Sequence, residues 1–342
     1  MSGATRLGGR FGGRTVLVTG STGMAASAAR AVAAEGGTVF AVSRTAAHLE
    51  ALEAEIRDAG GLLLWHAADL RDEGAVEAAF ATFDARVGRL DAVYSVAGIS
   101  GRRFGDGPLH EATLEGWETV LRANATSQFL VARAAIRRMR GQEPDATGSC
   151  GAVLLMSSTL ATHPAPAFFA THAYAASKGA VEALARSLAA YYAREGIRVN
   201  VIAPSLIATP MSRRAQEDPA ILAYLAARQP LAGGPIAADA VTATALHLLS
   251  PEAAMVTGQV VAVDGGWGIA GPGPYREVEA QLGLATGVAY LIGLGIVAVL
   301  FALFLPRGVW GEIEQRWGLQ LLPVGYRVRQ ATRETGSPRT RS

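Results

Sequence analysis

The chain has 342 residues, room for one large domain or two ordinary ones at about 150 residues each. Apolar residues make up 50% and charged residues 18%, with a net charge of +2. A core therefore needs no disulfide or metal staple, and a basic face for nucleic acid is not expected. The single cysteine, Cys150, excludes an intrachain disulfide and a cysteine-based zinc or iron–sulfur site. The histidines, His48, His66 and His247 among them, lack metal-ligand spacing, so no metal is expected.

Residues 1–13 are rich in glycine and arginine, lack a signal-peptide pattern and are expected to form a flexible, frayed start. Alternation begins with an apolar strand over 15–19, closed by a glycine turn. Residues 24–35 form an alanine-rich helix stopped by Gly36-Gly37. A strand over 39–42, a helix over 46–59, a strand over 62–66, a helix over 73–86 and a strand over 91–95 follow. A long helix covers about 113–140, then a strand 152–157, a helix 173–195 and a strand 198–202. Residues 205–232 read as an irregular stretch with a short helix, 237–250 as a helix and 259–263 as the last strand. Strands alternating with helices predict an α/β fold, a doubly wound Rossmann-type parallel sheet of about seven strands with helices on both faces. That unit spans 14–270, and a Gly/Pro linker spans 271–281. Residues 282–305 are 24 positions without a charge, the length of a membrane-spanning helix. Gly283, Gly287, Gly293 and Gly295 would let a second helix approach. The tail 306–342 is basic, with seven arginines against three glutamates.

Three local features carry chemistry. The first strand runs into Thr19-Gly20-Ser21-Thr22-Gly23-Met24-Ala25-Ala26. A glycine turn between strand and helix lets backbone approach a pyrophosphate at the helix N-terminus, and Ala26 permits close helix–sheet contact. A plain tight turn has the same signature. The second strand ends in Ser43-Arg44. An acid there would hold the ribose hydroxyls of NAD, whereas an arginine suits a 2′-phosphate, so NADP (NADPH) is preferred over NAD unless Arg44 is one more solvated arginine. Lys178 is the one lysine among 31 basic residues, and it follows Tyr174 by four positions. On a helix, i and i+4 share a face. The ammonium would lie beside the phenol, favour the phenolate and bring the tyrosine towards working pH as a general acid or base.

With these residues in place, 14–268 resembles the short-chain dehydrogenase/reductase family over roughly three-quarters of the chain. Tyr174 and Lys178 match the family's Tyr-x-x-x-Lys, and Ser158 in Met156-Ser157-Ser158 matches its serine. Asn124 matches the asparagine of its proton relay. Asp69-Leu70 resembles the adenine-side pair, and Ala97-Gly98 the end of Asn-Asn-Ala-Gly. The segment from Pro204 to Thr209, with Ile207, resembles the stretch beside the nicotinamide, and Val263-Asp264-Gly265-Gly266 the closing strand. The resemblance implies an oxidoreductase that moves a hydride between NADP(H) and a carbonyl or secondary alcohol, in the manner of ketoreductases and 3-oxoacyl reductases. It implies Tyr174 as general acid/base, Lys178 lowering its pKa and holding the nicotinamide ribose, Ser158 bonding the reacting oxygen, and Asn124 holding a water that links Lys178 to solvent. Cofactor contacts are implied at Gly20, Thr22, Gly23, Met24, Ser43, Arg44, Asp69, Leu70, Ala97, Gly98, Tyr174, Lys178, Pro204, Ile207 and Thr209. A small-molecule substrate and a homo-oligomer are expected, and no nucleic acid.

The chain departs from the family pattern in places. Two rather than three residues separate Gly20 from Gly23, and Ala26 takes the third glycine's place, a spacing that resembles the family's extended branch. Asn-Asn-Ala-Gly has become Ser95-Val96-Ala97-Gly98, and Ser205 follows Pro204. The gap from Ser158 to Tyr174 is longer than usual and holds His163, Phe168, Phe169 and His172, which line the substrate pocket or cover its rim. A mobile lid is expected over 205–232. Its apolar Ile221, Leu222, Tyr224 and Leu225, with Arg213-Arg214, fit an apolar carbonyl compound with Arg213 near an anionic group, or else a plain helical lid.

Phe304-Leu305-Pro306-Arg307-Gly308 and Leu322-Pro323-Val324-Gly325-Tyr326 resemble the end of permease subunits of branched-chain amino-acid ABC transporters. A span at 282–305 would anchor a cytoplasmic catalytic domain to the inner membrane. The positive-inside rule places the arginine-rich tail in the cytoplasm too, which a single span does not satisfy. A second reading is a non-catalytic, membrane-associated NADP(H)-binding module, motivated by the altered glycine turn.

Overall fold

In the computed structural model, residues 9–169, 171–270 and 293–300 are described. The strands are β1 (Thr15–Thr19), β2 (Thr38–Ser43), β3 (Leu62–Ala67), β4 (Ala92–Ser95), β5 (Gly151–Met156), β6 (Ile197–Pro204) and β7 (Val260–Val263). They form one sheet in the order β3-β2-β1-β4-β5-β6-β7, and every pairing is parallel. The helices are α1 (Gly23–Ala34), α2 (Ala46–Asp58), α3 (Glu73–Arg86), α4 (Leu114–Leu121), α5 (Ser127–Met139), α6 (His172–Tyr192), α7 (Arg213–Glu217), α8 (Pro219–Arg228) and α9 (Ala238–Leu249). Strand order reverses between β1 and β4, which opens a crevice at the carboxyl ends of those strands.

Period-two alternation divides the core between the two faces. Val16 and Val18 of β1 pack with Ala25, Ala28 and Val32 of α1 and Val241 of α9. Leu17, between them, points the other way, into Phe80 and Phe83 of α3, Val131 of α5 and Val181 of α6. The strands β1, β4, β5 and β6 are buried along their whole length. Cover on both faces is why they read in sequence as continuous apolar runs.

The structure departs from the sequence expectation in three places. The long helix over 113–140 is interrupted: a π turn, Arg122–Thr126, separates α4 from α5 and carries Asn124. Its cause is tertiary, because the Asn124 side chain pairs with the backbone of Ile99. The irregular stretch 205–232 holds two short helices, and Asp218 caps α8 by accepting from the N–H groups of Ala220 and Ile221. Residues 9–13, expected within a frayed start, pack onto the domain: Phe11 is only 1% exposed, and Arg10 bonds Glu35.

The chain divides into two units, 1–271 and 272–342. Of the candidate span 282–305, only 293–300 falls among the described residues, as helix. The rest of it, the linker from Gly271 onward, the basic tail and the permease-like stretches lie outside them. Among the described residues no helix is long and apolar enough to cross a membrane.

Candidate active site

At the crevice, β1 turns into α1 through Gly20 and Gly23, with φ of +104° and +55°. Both values lie in the left-handed region that favours glycine. A Cβ at Gly23 would stand 3.0 Å from Thr209 Cγ2, so this residue also lets the turn meet the segment after β6. No side chain caps α1 at Thr22, and its first turn carries no acid. Its first N–H groups and the positive end of its dipole are free for an anion. The Ser21 hydroxyl donates to Ser43 Oγ at 3.0 Å and ties the turn to the end of β2. Arg44, next to it, is exposed and close enough to contribute to holding the Asp69 carboxyl below its ordinary range, although the main cause is the Arg71 guanidinium. Arg71 Nη2 donates to Asp69 Oδ2 at 2.6 Å. A hollow of about 250 Å³ opens here, lined by Asp69, Arg71, Asp72, Thr119 and Arg122. Leu70 instead packs into the core. At the end of β1, Thr19 Oγ1 accepts the N–H groups of Val96 and Ala97 at 2.9 and 3.0 Å, fixing the chain as it leaves β4. These residues fit a dinucleotide: the open end of α1 for its pyrophosphate, Ser43 and Arg44 for the ribose that follows β2.

The chemistry-bearing side chains lie further along the same crevice. Ser158 follows β5, and its Oγ accepts from Leu160 N–H at 3.3 Å. Tyr174 is in the first turn of α6, and Lys178 is one turn on, only 2% exposed. Lys178 Nζ donates to the Met156 carbonyl at 3.0 Å and lies 5.5 Å from the centre of the Tyr174 ring. Burial pulls the Lys178 ammonium down to about 8. Burial pushes the Tyr174 phenol up, and a hydrogen bond with Ser158 opposes it. The sequence led us to expect Lys178 to lower the phenol. The net direction is nonetheless up, because desolvation is the largest cause acting on the phenol.

Asn124 is fully buried in the π turn. Its Oδ1 accepts from Ile99 N–H at 2.8 Å, and its Nδ2 donates to the Ile99 carbonyl at 3.1 Å and to Ser177 Oγ at 3.2 Å. Gly98 closes the gap: a Cβ there would stand 2.9 Å from Asn124 Oδ1 and 3.6 Å from Lys178 Nζ. Asn124, Ser158, Tyr174 and Lys178 are thus gathered at one place, with Gly98 against two of them.

Two supporting residues were missed in the sequence. The Asp106 carboxylate, 5% exposed, accepts from the N–H groups of Ala173 and Tyr174, each at 2.9 Å. It caps α6 from the loop after β4, whereas the cap position itself, Thr171, makes no capping bond. The only local signal was Gly105-Asp106-Gly107, which reads as a turn. Gln128 of α5 donates to the carbonyls of Asn124 and Met156 at 3.1 and 2.9 Å and accepts from Met156 N–H at 2.8 Å, stapling the π turn to the end of β5.

Above Ser158 and Tyr174 is a cleft of about 180 Å³. Met24, Ile207 and Thr209 line it near the turn into α1, and Leu160, Phe169, Leu206, Met211 and Trp267 give it apolar walls. Of the residues expected at the rim, Phe169 lines the cleft, while Phe168 packs on Tyr224 with ring centres 5.1 Å apart. The His163 carbonyl accepts from Trp267 Nε1 at 3.2 Å, and His172 is exposed. Arg214, not Arg213, lines the cleft, with Arg102. Thr159 Oγ1 and Ser205 Oγ are buried without a partner, and both residues line it.

This constellation has known counterparts. The family model described as enoyl-(acyl carrier protein) reductase matches residues 18–268. A cis-4-hydroxycyclohexanecarboxylate dehydrogenase of Sinomonas cyclohexanicum is 35% identical over 76% of this chain and 99% of its own length. A D-threitol dehydrogenase of Mycolicibacterium smegmatis is 33% identical over 76% of this chain and 95% of its own. A gluconate 5-dehydrogenase from Burkholderia cenocepacia, solved in complex with NADP and tartrate, superposes with a TM-score of 0.69 at 30% identity, covering 77% of this chain and 98% of that one. The chain belongs to the short-chain dehydrogenase/reductase family, oxidoreductases of alcohol and ketone substrates that bind a nicotinamide cofactor.

Proposed function

We propose that the protein is an NADP(H)-dependent carbonyl reductase or alcohol dehydrogenase in which Tyr174 exchanges a proton with the oxygen of a small-molecule substrate. The observation that carries this is the convergence of Tyr174, Ser158 and Lys178 beside one apolar cleft, next to an open helix N-terminus. The nicotinamide supplies the hydride in reduction and takes it in oxidation. Ser158 holds the reacting oxygen by a hydrogen bond where negative charge develops. The phenol of Tyr174, protonated at neutral pH as any tyrosine is and pushed further up by burial, is in reduction ready to give its proton to that oxygen. Lys178, with a pKa of about 8, sits where it can stabilise the phenolate left behind. Asn124 and Gln128 hold the segments around Lys178 in place, through Ser177 and the Met156 carbonyl.

The position of Arg44 at the end of β2, beside Asp69, supports a 2′-phosphate and hence NADP(H). The relatives named for cis-4-hydroxycyclohexanecarboxylate and D-threitol support a secondary alcohol on a small molecule. Assembly as a homo-oligomer belongs to the same reading and is checked by light scattering. The deciding experiment is Tyr174→Phe: NADPH binding, followed by its fluorescence, is retained, and NADPH oxidation across a ketone panel is lost. Undiminished turnover in that variant overturns the assignment.

A further inference from the structure

We infer that the substrate of this cleft carries a carboxylate, bound at the mouth by Arg102 and Arg214. The inference rests on the oxidoreductase reading of the same site and adds its substrate class. A cleft of about 180 Å³ takes a small molecule. Its floor carries Ser158 and Tyr174 and its walls are largely apolar; among the described residues its charged lining consists of the two arginines, with no aspartate or glutamate. The arginines come from separate segments, Arg102 from the 3₁₀ turn Gly101–Phe104 and Arg214 from α7, so neither is present as a neighbour of the other.

Several arginines elsewhere on the domain are paired, although Arg103, Arg194 and Arg213 share the unpaired state of these two; what sets Arg102 and Arg214 apart is that they line the cleft. Arg30 meets Glu55, Arg71 meets Asp69, and Arg138 meets Asp84. Among the described residues, neither the Arg102 nor the Arg214 side chain has a hydrogen-bond or ion-pair partner. The acid nearest to Arg102 in sequence is Asp106, and its carboxylate is committed to the N–H groups of Ala173 and Tyr174. Two guanidiniums beside apolar walls attract an anion, and their planar donor forks match a carboxylate. With the acid at the mouth and the reacting oxygen at Tyr174, the apolar body of the substrate lies against Leu160, Phe169 and Leu206.

The test compares 3-oxocyclohexanecarboxylate with its primary amide, equal in shape and different in charge. Both are assayed with the full chain and NADPH for turnover and, separately, for binding by calorimetry, in the wild type and in Arg102→Gln, Arg214→Gln, Arg214→Lys and Tyr174→Phe. The acid is expected to exceed the amide on the order of 10-fold in kcat/KM, since a charge-assisted pair at a solvent-open mouth is only partly desolvated. Each Gln variant collapses that preference mainly through KM, Arg214→Lys retains part of it, and raised salt weakens it. Tyr174→Phe loses turnover of both ligands and keeps the binding preference. Equal use of acid and amide by the wild type overturns the inference, as does Arg214→Gln weakening NADPH rather than the acid. Turnover of neutral ketones alone leaves the oxidoreductase reading standing and sinks the carboxylate. Arginine-dependent binding of the acid without turnover of any ketone does the reverse.

Discussion

Lys178 makes a stability prediction with a definite sign. Its ammonium is buried and its pKa falls from 10.5 to about 8 in the folded protein. Unfolded, the same lysine titrates near its ordinary value, so between pH 8 and 10.5 the unfolded chain binds more protons than the folded one. Stability contributed by this group is therefore lowest below pH 8 and rises as pH increases through that window. The gap corresponds to about 3 kcal/mol at roughly 1.4 kcal/mol per tenfold change in proton affinity. Most of it, about 2 kcal/mol or more, is recovered between pH 7 and 10. The buried phenols of Tyr94 and Tyr174 act in the opposite sense, because their raised folded pKa values make stability fall once the unfolded tyrosines ionise near pH 10. The comparison accordingly stops at pH 10.

The partner measurement is Lys178→Met, which keeps the length of the side chain and removes the charge. The Met156 carbonyl still accepts from Gln128 Nε2 at 2.9 Å, so no buried acceptor is orphaned. Urea unfolding of nucleotide-free wild type and variant is followed at intervals from pH 7 to 10. The wild type is expected to gain about 2 kcal/mol relative to the variant across that range, with the variant the more stable at pH 7. Groups remote from Lys178 cancel in the difference. Parallel curves would refute the reasoning, because they would mean that the ammonium is not desolvated in the fold.

Four further outcomes are expected. Asp106→Ala should cost about 2 kcal/mol by leaving the Ala173 and Tyr174 N–H groups without their cap; kcat should fall with NADPH affinity retained, and Asp106→Asn should restore part of both, by thermal melts and steady-state kinetics. Gly98→Ala should lower kcat sharply while the protein stays folded by circular dichroism, since the new Cβ would press within 2.9 Å of Asn124 Oδ1. Arg44→Asp should weaken NADPH at least about tenfold and favour NADH, measured by titration of cofactor fluorescence. Lys178→Arg, the mildest charge swap elsewhere in this arginine-rich chain, should abolish turnover and cost about 1–3 kcal/mol of stability through overpacking.

How much of this was legible follows from which interactions are local. The sheet could be read because its central strands β1, β4, β5 and β6, buried on both faces, are continuous apolar runs. Tyr174 and Lys178 could be read because one helical turn brings them together whatever surrounds them. What escaped depends on contacts between distant segments. Asp106 lies 67 residues from the N–H of Ala173 that it caps, and nothing in a Gly-Asp-Gly turn announces the partner. The π turn at Asn124 exists because of Ile99, which no periodicity within 113–140 records. Arg214 rather than Arg213 lines the cleft because of the phase of a five-residue helix, too short for its sequence to set. Phe11 was hidden by its glycine- and arginine-rich surroundings.

The net rise of the Tyr174 phenol has the same origin. Spacing along a helix says that a cation is near; only the fold says how much water both groups have lost. Here both are buried, and desolvation disfavours the charged form of each, moving the phenol up and the ammonium down. In the proposed reaction this would leave a protonated phenol at neutral pH and an amine that titrates near pH 8. A guanidinium in its place would stay charged at every accessible pH. On the proposed reading, the single lysine of this arginine-rich chain stands at a buried position where a group able to part with its proton near pH 8 has a use that a guanidinium does not.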